Sequence, residues 1–342
     1  MALMAFEILK RLVRIYSPSG SEDEAAEELV EALKELSGGT LEVWRDGAGN
    51  VLAAPKRKAE YSLALISHID TVPGFWEPKV TESAISGRGA VDAKGPLAAM
   101  AEALIRLSEE GKDVMLGAMV GEEDDSRGAK YLREHGPKLK YVIIGEPSNS
   151  TDVVVGYRGY AWLEVKCEAK GGHASSPEVG ESAVEKLWEV YQKAKEALSP
   201  ATVSLTSIKS WNAFNVLPKE AVARFDVRFP ASKSLEEVLN AFSKCSSVEL
   251  KDWLGPVEVK PTSPVPRALR RALLKHGIRG RFVKKRGTSD MNVLGPVVES
   301  VAAYGPGRSE LSHTFEEVIT KEELDTAVKV YLEAGRELAD DL

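Results

Sequence analysis

The segment Val114–Ser126, VMLGAMVGEEDDS, joins an apolar run to four consecutive acidic residues. A short, uninterrupted apolar run is typical of a strand that is buried on both faces. A carboxylate near such a strand is costly to bury unless it is paired or bound to a metal ion. A solvated turn is the other explanation of an acidic run, so the choice depends on the polar residues that end neighbouring strands.

Composition limits the class of protein and its surroundings. With 342 residues, 43 % hydrophobic and 28 % charged, the chain is long enough for two globular domains. Its net charge of −7 argues against nucleic acid as the main partner. The sequence has no apolar segment of membrane-spanning length and no signal-peptide pattern, so we expect a cytoplasmic protein that does not enter a membrane. A single glutamine, Gln192, among many Glu and Lys residues indicates adaptation to high temperature.

Two local patterns give structural expectations. Cys167 and Cys245 form no CxxC pair, and Cys167 falls in a strand pattern. We therefore expect no disulfide framework and a buried structural thiol at Cys167. Ser21 and Glu24 have the spacing of a capping box, which predicts the start of a helix.

The order of periodic segments predicts two domains. Residues 1–150 alternate helical and strand patterns, as in an α/β layered sheet. Within 157–262 the strand patterns alternate with period two, which indicates an antiparallel sheet with helices on one face. We therefore expect an α/β catalytic domain with a central mixed sheet, formed by 1–156 and 263–342. An inserted α+β domain, 157–262, interrupts it.

Polar residues follow several of the predicted strands of the α/β domain. His68 and Asp70 follow one apolar run, Glu146 follows another, and Asp92 lies in a glycine-rich loop that enters a helix. Ligand sites of open α/β sheets gather at the carboxyl ends of their strands. These side chains are therefore expected to converge with Glu122 and Glu123 at one edge.

A pair of metal ions would explain so many acids at one edge. Zinc takes His and carboxylate ligands, and two such ions carry +4 against −4 from Asp92, Glu122, Glu123 and Glu146. The His-x-Asp spacing lets Asp70 orient the ring of His68. Taken singly, each feature has an ordinary explanation as a turn, a helix cap or a loop start, but their joint occurrence predicts a two-metal hydrolytic site.

The motifs taken together resemble the di-zinc aminoacylase and metallopeptidase family, which includes acetylornithine deacetylase and succinyl-diaminopimelate desuccinylase. The resemblance covers nearly the whole chain in order: SHIDTVP, GRGAVDAKGPLAAM, GEEDDSRGA, GEPS, GYRGY, GGHASSP, NVLP, GTSDMN and LSHT. It implies a zinc-peptidase-like catalytic domain with an inserted lid or dimerisation domain, and hydrolysis of a linear amide bond. It also implies a homodimer or higher oligomer, and two Zn²⁺ per chain, which Co²⁺ can replace.

Carried over residue by residue, the resemblance assigns roles. His68 and Glu146 would bind one metal, His313 and Glu123 the other, with Asp92 bridging the two. Glu122 would be the general base, and Asp70 the orienting carboxylate. His173 of the lid would donate to the tetrahedral intermediate, often across a dimer interface. The resemblance also implies a cis Asp92–Ala93 peptide bond and the substrate-anchoring residues Arg158, Asn215, Arg228, Gly287, Thr288 and Ser289.

A narrower resemblance concerns the substrate. DTVPG, GYRG and GTSDMNV look like the hydrolases of carrier-protein lysine biosynthesis, which release lysine or ornithine from the C-terminal glutamate of an acidic carrier, LysW. The basic run 281–286 lies directly before the GTSDMN motif, so Lys284, Lys285 and Arg286 are expected to contact that carrier, although a basic run is more often a solvated face.

Other functions remain open at this point. A deacetylase, desuccinylase or dipeptidase of the same family would act on small free substrates. A non-catalytic binding protein of the same fold would be expected to lack Glu122 or a metal ligand, and all are present. A metallophosphoesterase is disfavoured because no phosphate-cradling glycine loop precedes a lysine.

Overall fold

The computed structural model describes residues 4–342, so residues 1–3 of the predicted first helix lie outside the described part. The helices, numbered along the chain, are α1 (Met4–Leu12), α2 (Asp23–Leu36), α3 (Lys94–Glu109), α4 (Arg127–His135), α5 (Ala183–Ala197), α6 (Leu235–Asn240), α7 (Pro264–Lys275), α8 (Asp290–Leu294) and α9 (Lys321–Leu338). The first strands are β1 (Glu42–Arg45), β2 (Val51–Ala54), β3 (Glu60–His68), β4 (Lys79–Val80), β5 (Ala84–Ser86), β6 (Val114–Met119), β7 (Lys138–Gly145), β8 (Asp152–Tyr157) and β9 (Gly159–Glu168). The later strands are β10 (Gly172–His173), β11 (Thr202–Lys209), β12 (Val216–Leu217), β13 (Glu220–Phe229), β14 (Ser247–Leu254), β15 (Val257–Glu258), β16 (Arg281–Lys285), β17 (Ser300–Tyr304) and β18 (Val318–Thr320).

The chain divides into two compact units. One comprises the residues up to Gly156, Val259–Lys284 and Ser289–Leu342; the other comprises Tyr157–Glu258 and Lys285–Thr288. The insertion expected from the sequence was 157–262. The four residues Lys285–Thr288 therefore belong by their contacts to the second unit, although the sequence pattern places them in the α/β domain.

The first unit is built around a mixed sheet. Its strands run in the order β1-β2-β6-β3-β7-β17-β8, with β16 also paired to β8. The central strands β6, β3, β7 and β17 are parallel, whereas β2 and β8 pair antiparallel. Parallel strands bring their carboxyl ends to one edge, which is where the polar residues noted above follow β3, β6 and β7.

Burial on both faces explains the apolar runs of the central strands. Every residue of β6, and every residue of β3 after Glu60, is buried. Helix α3 packs between β3 and the helices α1 and α9, so its residues from Lys94 to Ile105 are buried as well. In strands that are buried on both faces, apolar and polar residues do not alternate. Such strands are recognised in the sequence by their length and by the polar residues that flank them.

The helix α2 begins differently from the prediction. Its N-cap is Glu22, no side chain caps it, and the expected capping box of Ser21 and Glu24 is absent. Glu22 is almost fully buried, and its Oε1 accepts a hydrogen bond from Arg127 Nη2 at 2.6 Å. The carboxylate at the N-cap position is therefore engaged by an arginine that lies 105 residues further along the chain.

The second unit contains an antiparallel sheet in the order β11-β13-β9-β14. Residues of β9 alternate between buried and less buried, and the buried face packs on α5 and on the aromatic rings of Phe225 and Phe242. Trp162 and Trp253, on β9 and β14, are 39 % and 47 % exposed. A separate two-stranded antiparallel sheet pairs β10 with β12.

The expectation of an unpaired thiol at Cys167 is wrong. Cys167 is buried as predicted, but it forms a disulfide with Cys245, 78 residues away in sequence, and the two Cα atoms lie 4.4 Å apart. A single alternating strand pattern carries no information on the loop after α6 that brings Cys245 to it. Among the described residues no helix is long and apolar enough to cross a membrane.

Candidate metal centre

Three strand ends bring the acidic residues and one histidine together. His68 is the last residue of β3, Glu146 directly follows β7, and Glu122 and Glu123 follow β6 after a short turn. His68 and Glu146 are 1 % and 8 % exposed, and Asp92 is also 8 % exposed. The convergence expected from the parallel strands is thus present in the structure.

The donor atoms form two groups that share His68. Nε2 of His68 lies 3.2 Å from Asp92 Oδ1 and 3.9 Å from Glu146 Oε1. Donor atoms of His68, Asp92 and Glu123 all lie within 4.8 Å of one another, as do those of His68, Glu122 and Glu146. A metal ion with bonds of about 2 Å to each donor fits between atoms at this spacing.

His313 adds a second nitrogen on the other side of Asp92. Its Nε2 lies 2.9 Å from Glu123 Oε1 and 3.4 Å from Asp92 Oδ2. Asp92 therefore presents Oδ1 to His68 and Oδ2 to His313, as a bridging carboxylate would. His313 is held at φ 65°, a left-handed conformation that is strained for a histidine and that persists only where its surroundings hold it.

The four consecutive acidic residues that follow β6 divide into two pairs. The amides of Asp124, Asp125 and Ser126 all donate to the Gly121 carbonyl, which folds the segment into a tight turn. Asp124 and Asp125 are exposed, so the solvated explanation holds for them. Glu122 and Glu123 face the cluster instead. Of the four acidic residues, Asp124 and Asp125 therefore form a solvated turn, and Glu122 and Glu123 belong to the cluster.

Buried Asp70 orients this turn more directly than it orients His68. Its Oδ1 and Oδ2 accept from the amides of Glu122 and Glu123, each at 3.1 Å, and Oδ2 also accepts from Ser19 Oγ at 2.7 Å. His68 Nδ1 lies 2.9 Å from the Asp70 carbonyl oxygen but 3.5 Å from its carboxylate. The nearer hydrogen-bond acceptor for the ring is thus the backbone of Asp70, a detail that the His-x-Asp spacing does not distinguish.

The pKa directions of these side chains indicate that the cluster favours added positive charge. Burial raises the pKa of Glu122 well above its usual value and also raises that of Glu123. Burial would lower the pKa of His68, but hydrogen bonds to Asp70 and Asp92 raise it well above its usual value. Hydrogen bonds to Asp92 and Glu123 raise the pKa of His313 to about 10. Metal binding to ligands of this kind releases protons.

The chemistry of the donor set fits hard or borderline divalent cations. Imidazole nitrogens and carboxylate oxygens are ligands of Zn²⁺ and Co²⁺, and no thiolate is present among them. A buried cluster of carboxylates is unfavourable unless its charge is compensated. The peptide bond Asp92–Ala93 is cis, as the sequence resemblance implies.

Several residues that the sequence reasoning did not single out support the cluster. Asn50 accepts from the Val120 amide and donates to the Gly128 carbonyl, each at 3.0 Å, and so holds both ends of the acidic turn. Glu317 accepts from the amide of Asp92 at 3.3 Å. Asp290 is buried, and burial raises its pKa to about 7. In sequence, Asn50 resembles a turn residue and Glu317 one half of an exposed acidic pair, so no local signal marks them.

The expected substrate-contacting residues are distributed over both units. In the second unit His173 ends β10, opposite Val216 of β12, and the Asn215 carbonyl accepts from the amide of Ala174 at 2.9 Å. His173 is exposed, and its Nδ1 lies 2.7 Å from Ser175 Oγ. In the first unit Ser289 caps α8 by accepting from the Met291 amide.

The two expected arginines already have partners inside the second unit. Arg158 Nη1 donates to Thr202 Oγ1 at 2.9 Å. Arg228 forms two hydrogen bonds with the Asp226 carboxylate, at 2.8 and 3.0 Å, and its Nη1 points to Thr288 Oγ1 at 3.4 Å. Gly287 precedes Thr288 in that turn. Arg228 is therefore directed toward the predicted substrate turn, whereas Arg158 donates to the first residue of β11.

The basic run is partly neutralised. Arg281 forms a bidentate ion pair with Asp152, with both contacts at 2.9 Å. Lys285 Nζ lies 6.0 Å from the ring centroid of Tyr157. Arg286 is exposed. The charge of Arg281 is thus compensated within the protein by Asp152.

The chain is similar to one protein family and to several named relatives. The model of the family described as Peptidase family M20/M25/M40 matches residues 64–337. A protein of Saccharolobus islandicus named [LysW]-lysine/[LysW]-ornithine hydrolase is 39 % identical over 340 residues, 98 % of this chain and 96 % of its own length. The protein of that name in Sulfurisphaera tokodaii is 36 % identical over 97 % of this chain and 95 % of its own length.

Two solved structures share the fold at low sequence identity. The aminopeptidase PepT of Bacillus cereus superposes with a TM-score of 0.78 at 23 % identity, covering 98 % of each chain. The M20 family metallo-carboxypeptidase Sso-CP2 of Sulfolobus solfataricus has a TM-score of 0.76 at 18 % identity, covering 99 % of each chain. The predicted fold, a mixed α/β zinc-peptidase-like domain with a separate antiparallel sheet, is confirmed.

Replacing His313 by Ala tests the geometry of the cluster. The substitution removes the nitrogen donor that lies 2.9 Å from Glu123 Oε1, so we expect the purified protein to retain fewer divalent ions per chain than wild type, measured by elemental analysis after dialysis. His276→Ala, at the C-cap of α7, is the matched control and should leave the metal content unchanged. An unaltered metal content in His313→Ala would remove His313 from the ligand set.

Proposed function

The chain belongs to peptidase family M20/M25/M40, and on that premise we propose that it releases lysine or ornithine from the C-terminal glutamate of an acidic amino-group carrier protein, LysW. Membership of the family makes it a metal-dependent hydrolase that acts on amide bonds. The observation that supports the substrate is the 39 % identity to hydrolases named for LysW-lysine and LysW-ornithine, which extends over 98 % of this chain. A similarity of that extent includes both units, not only the metal cluster.

We propose two Zn²⁺ ions, replaceable by Co²⁺, as the resident metals. His68 and Glu146 would hold one ion and His313 and Glu123 the other, because each histidine nitrogen faces that carboxylate across the cluster. Asp92 would bridge them, because its two oxygens face different histidines. When bound, two such ions polarise the scissile carbonyl and lower the pKa of a water molecule.

Glu122 is the residue proposed to move the proton. It lies in the group with His68 and Glu146, and burial raises the pKa of its carboxyl, which suits a residue that must take up a proton and return it. It would take the proton of the attacking water and pass it to the leaving amine. Asp70 holds the Glu122 amide and thereby its side-chain direction.

The second unit is proposed to complete the reaction. His173 would donate a hydrogen bond to the oxyanion of the tetrahedral intermediate. Asn215 directly precedes β12, which pairs with the strand that carries His173, and Arg228 and Thr288 would supply donors for a carboxylate or carbonyl of the substrate. An exposed edge of an antiparallel sheet can pair with a second subunit, so we propose a homodimer built mainly through residues 157–262.

Small-substrate hydrolases of the same family are the second candidate. These candidates are acetylornithine deacetylase, succinyl-diaminopimelate desuccinylase and dipeptidase activity. Each would use the same cluster, and they would differ only in the residues that surround it. A non-catalytic binding protein is disfavoured, because Glu122 and every proposed ligand are present and brought together.

The general-base assignment predicts that Glu122→Gln keeps its metal ions and loses turnover. The amide retains the shape of the side chain but cannot take a proton, so kcat should fall at least about 100-fold. Asp124→Asn, in the exposed half of the same turn, is the matched control and should retain wild-type kcat. Loss of a metal ion in Glu122→Gln, measured by elemental analysis, would instead make Glu122 a ligand.

The substrate assignment predicts a preference that direct turnover can measure. Purified protein should hydrolyse LysW-lysine or LysW-ornithine with a higher kcat/KM than N-acetylornithine or N-succinyl-diaminopimelate. The Glu122→Gln variant provides the background rate for each substrate. Faster turnover of a small free substrate would refute the carrier assignment and leave the metal chemistry intact.

The basic run offers a separate test of the carrier. Lys284→Ala, Lys285→Ala and Arg286→Ala together should raise KM for the carrier-linked substrate and flatten its dependence on salt, because electrostatic steering is screened by salt. The matched control replaces Lys56, Arg57 and Lys58 by alanine, which removes the same amount of positive charge. These residues lie just before β3, whereas His68 lies at the opposite end of that strand. An equal effect of both triple substitutions, or an equal effect on a short acyl-lysine peptide, would contradict docking at the basic run.

A further inference from the structure

An arginine and a glutamate that belong to neither the proposed ligands nor the proposed base form a buried ion pair beside the cluster. Arg88 and Glu317 are 3 % and 1 % exposed, and Arg88 Nη1 lies 2.6 Å from Glu317 Oε1. Burying two charges costs more than their attraction returns unless further hydrogen bonds satisfy both groups. The partners of the remaining atoms therefore show what the pair holds.

Glu317 holds the loop that carries Asp92. Its second oxygen, Oε2, accepts from the amides of Gly89 and Val91 at 3.1 Å and from the amide of Asp92 itself at 3.3 Å. Three amides of one short loop thus converge on one carboxylate oxygen. That loop ends in the carboxylate that faces both His68 and His313.

Arg88 holds the loop that carries His313. Its Nη1 donates to the carbonyl of Thr314, the next residue, at 3.2 Å, and its Nε donates to the Gly74 carbonyl at 2.8 Å. The guanidinium is packed against Trp76 and Phe315, with ring centroids at 5.0 and 5.5 Å. A planar, forked donor suits these divergent contacts, whereas a lysine ammonium has neither the fork nor the flat face.

Both residues emerge from the same short strand pair. Arg88 follows β5 and Glu317 directly precedes β18, and these strands pair with Val318 opposite Ser86. The side-chain contacts of the pair end on the Asp92 loop, on the residue after His313, and on the segment that continues from Asp70. The backbones of Arg88 and Glu317 are therefore anchored by the β5–β18 pairing, and their side chains contact three loops around the cluster.

We propose that Arg88 and Glu317 are positioning residues of the metal centre, which set the separation of Asp92 and His313 and thereby the affinity and geometry of the site they share. This inference rests on the metal roles proposed above for Asp92 and His313, and it is independent of the identity of the substrate. Residues that hold metal ligands in place typically contribute a factor of about 10 to 100 in metal affinity or activity.

The test compares metal binding by Glu317→Ala, Glu317→Gln and Arg88→Lys with that of the full wild-type chain. Affinity is measured by chelator competition with Co²⁺, and the geometry by the visible absorption of the bound Co²⁺. Glu317→Ala and Arg88→Lys should weaken binding of at least one ion about 10- to 100-fold and alter the cobalt spectrum. Glu317→Gln keeps one oxygen for the amides, so its loss should be smaller.

A second buried carboxylate provides the matched control. Glu102 is fully buried in α3, accepts from the Ala5 amide at 2.6 Å, and pairs with Arg106, none of which lies on a loop of the cluster. Glu102→Gln should lower the thermal unfolding temperature without changing cobalt affinity or spectrum. If Glu317→Ala does not fold, Glu317→Gln and Arg88→Lys are compared with Glu102→Gln instead.

Two outcomes separate this inference from the proposed function. Wild-type cobalt affinity and spectrum in Glu317→Ala and Arg88→Lys, with a fall in unfolding temperature like that of Glu102→Gln, would overturn the positioning role and leave the proposed function standing. Wild-type protein that binds two ions, with the expected losses in the variants, but that hydrolyses no carrier-linked substrate would uphold the positioning role and refute the substrate.

Discussion

The compensation of buried negative charge is the constraint on which this structure depends. Parallel strands bring Glu122, Glu123 and Glu146 to one edge of the sheet, and the loop before α3 brings Asp92 to the same place. Carboxylates gathered in a buried site repel one another and have lost water, so their arrangement is stable only with positive charge among them. His68 and His313 supply part of that charge when protonated, and divalent ions would supply it without consuming the acid–base capacity of the site.

The surrounding polar residues maintain the cluster by fixing backbone rather than by adding charge. Asp70 receives the amides of the acidic turn, Asn50 holds the two ends of that turn, and Glu317 receives the amides of the Asp92 loop. Each of these acceptors satisfies main-chain donors that would otherwise be buried without partners. The geometry of the site is therefore carried by ordinary hydrogen bonds, and this explains why loops rather than strands can supply Asp92 and His313.

The sequence predicts the parts of the site that depend on local pattern. An apolar run followed by a polar residue marks a strand end, so His68, Glu122 and Glu146 could be placed at one edge without knowledge of the fold. Glu317 could not be found in this way, because it meets the Asp92 loop only through a contact 225 residues apart. Cys245 and Arg127 were missed as partners of Cys167 and Glu22 for the same reason. The nearer approach of His68 to the Asp70 carbonyl than to its carboxylate depends on ring orientation, which residue spacing does not determine.

Anomalous X-ray diffraction at the zinc absorption edge, from crystals of the wild-type protein grown with zinc, tests the central claim most directly. The charge argument and the two histidines on either side of Asp92 predict two anomalous peaks per chain, about 3.5–4 Å apart. One peak should lie beside His68 and Glu146, the other beside His313 and Glu123, and both should lie within bonding distance of Asp92. A single peak, or two peaks that do not share Asp92, would contradict the account.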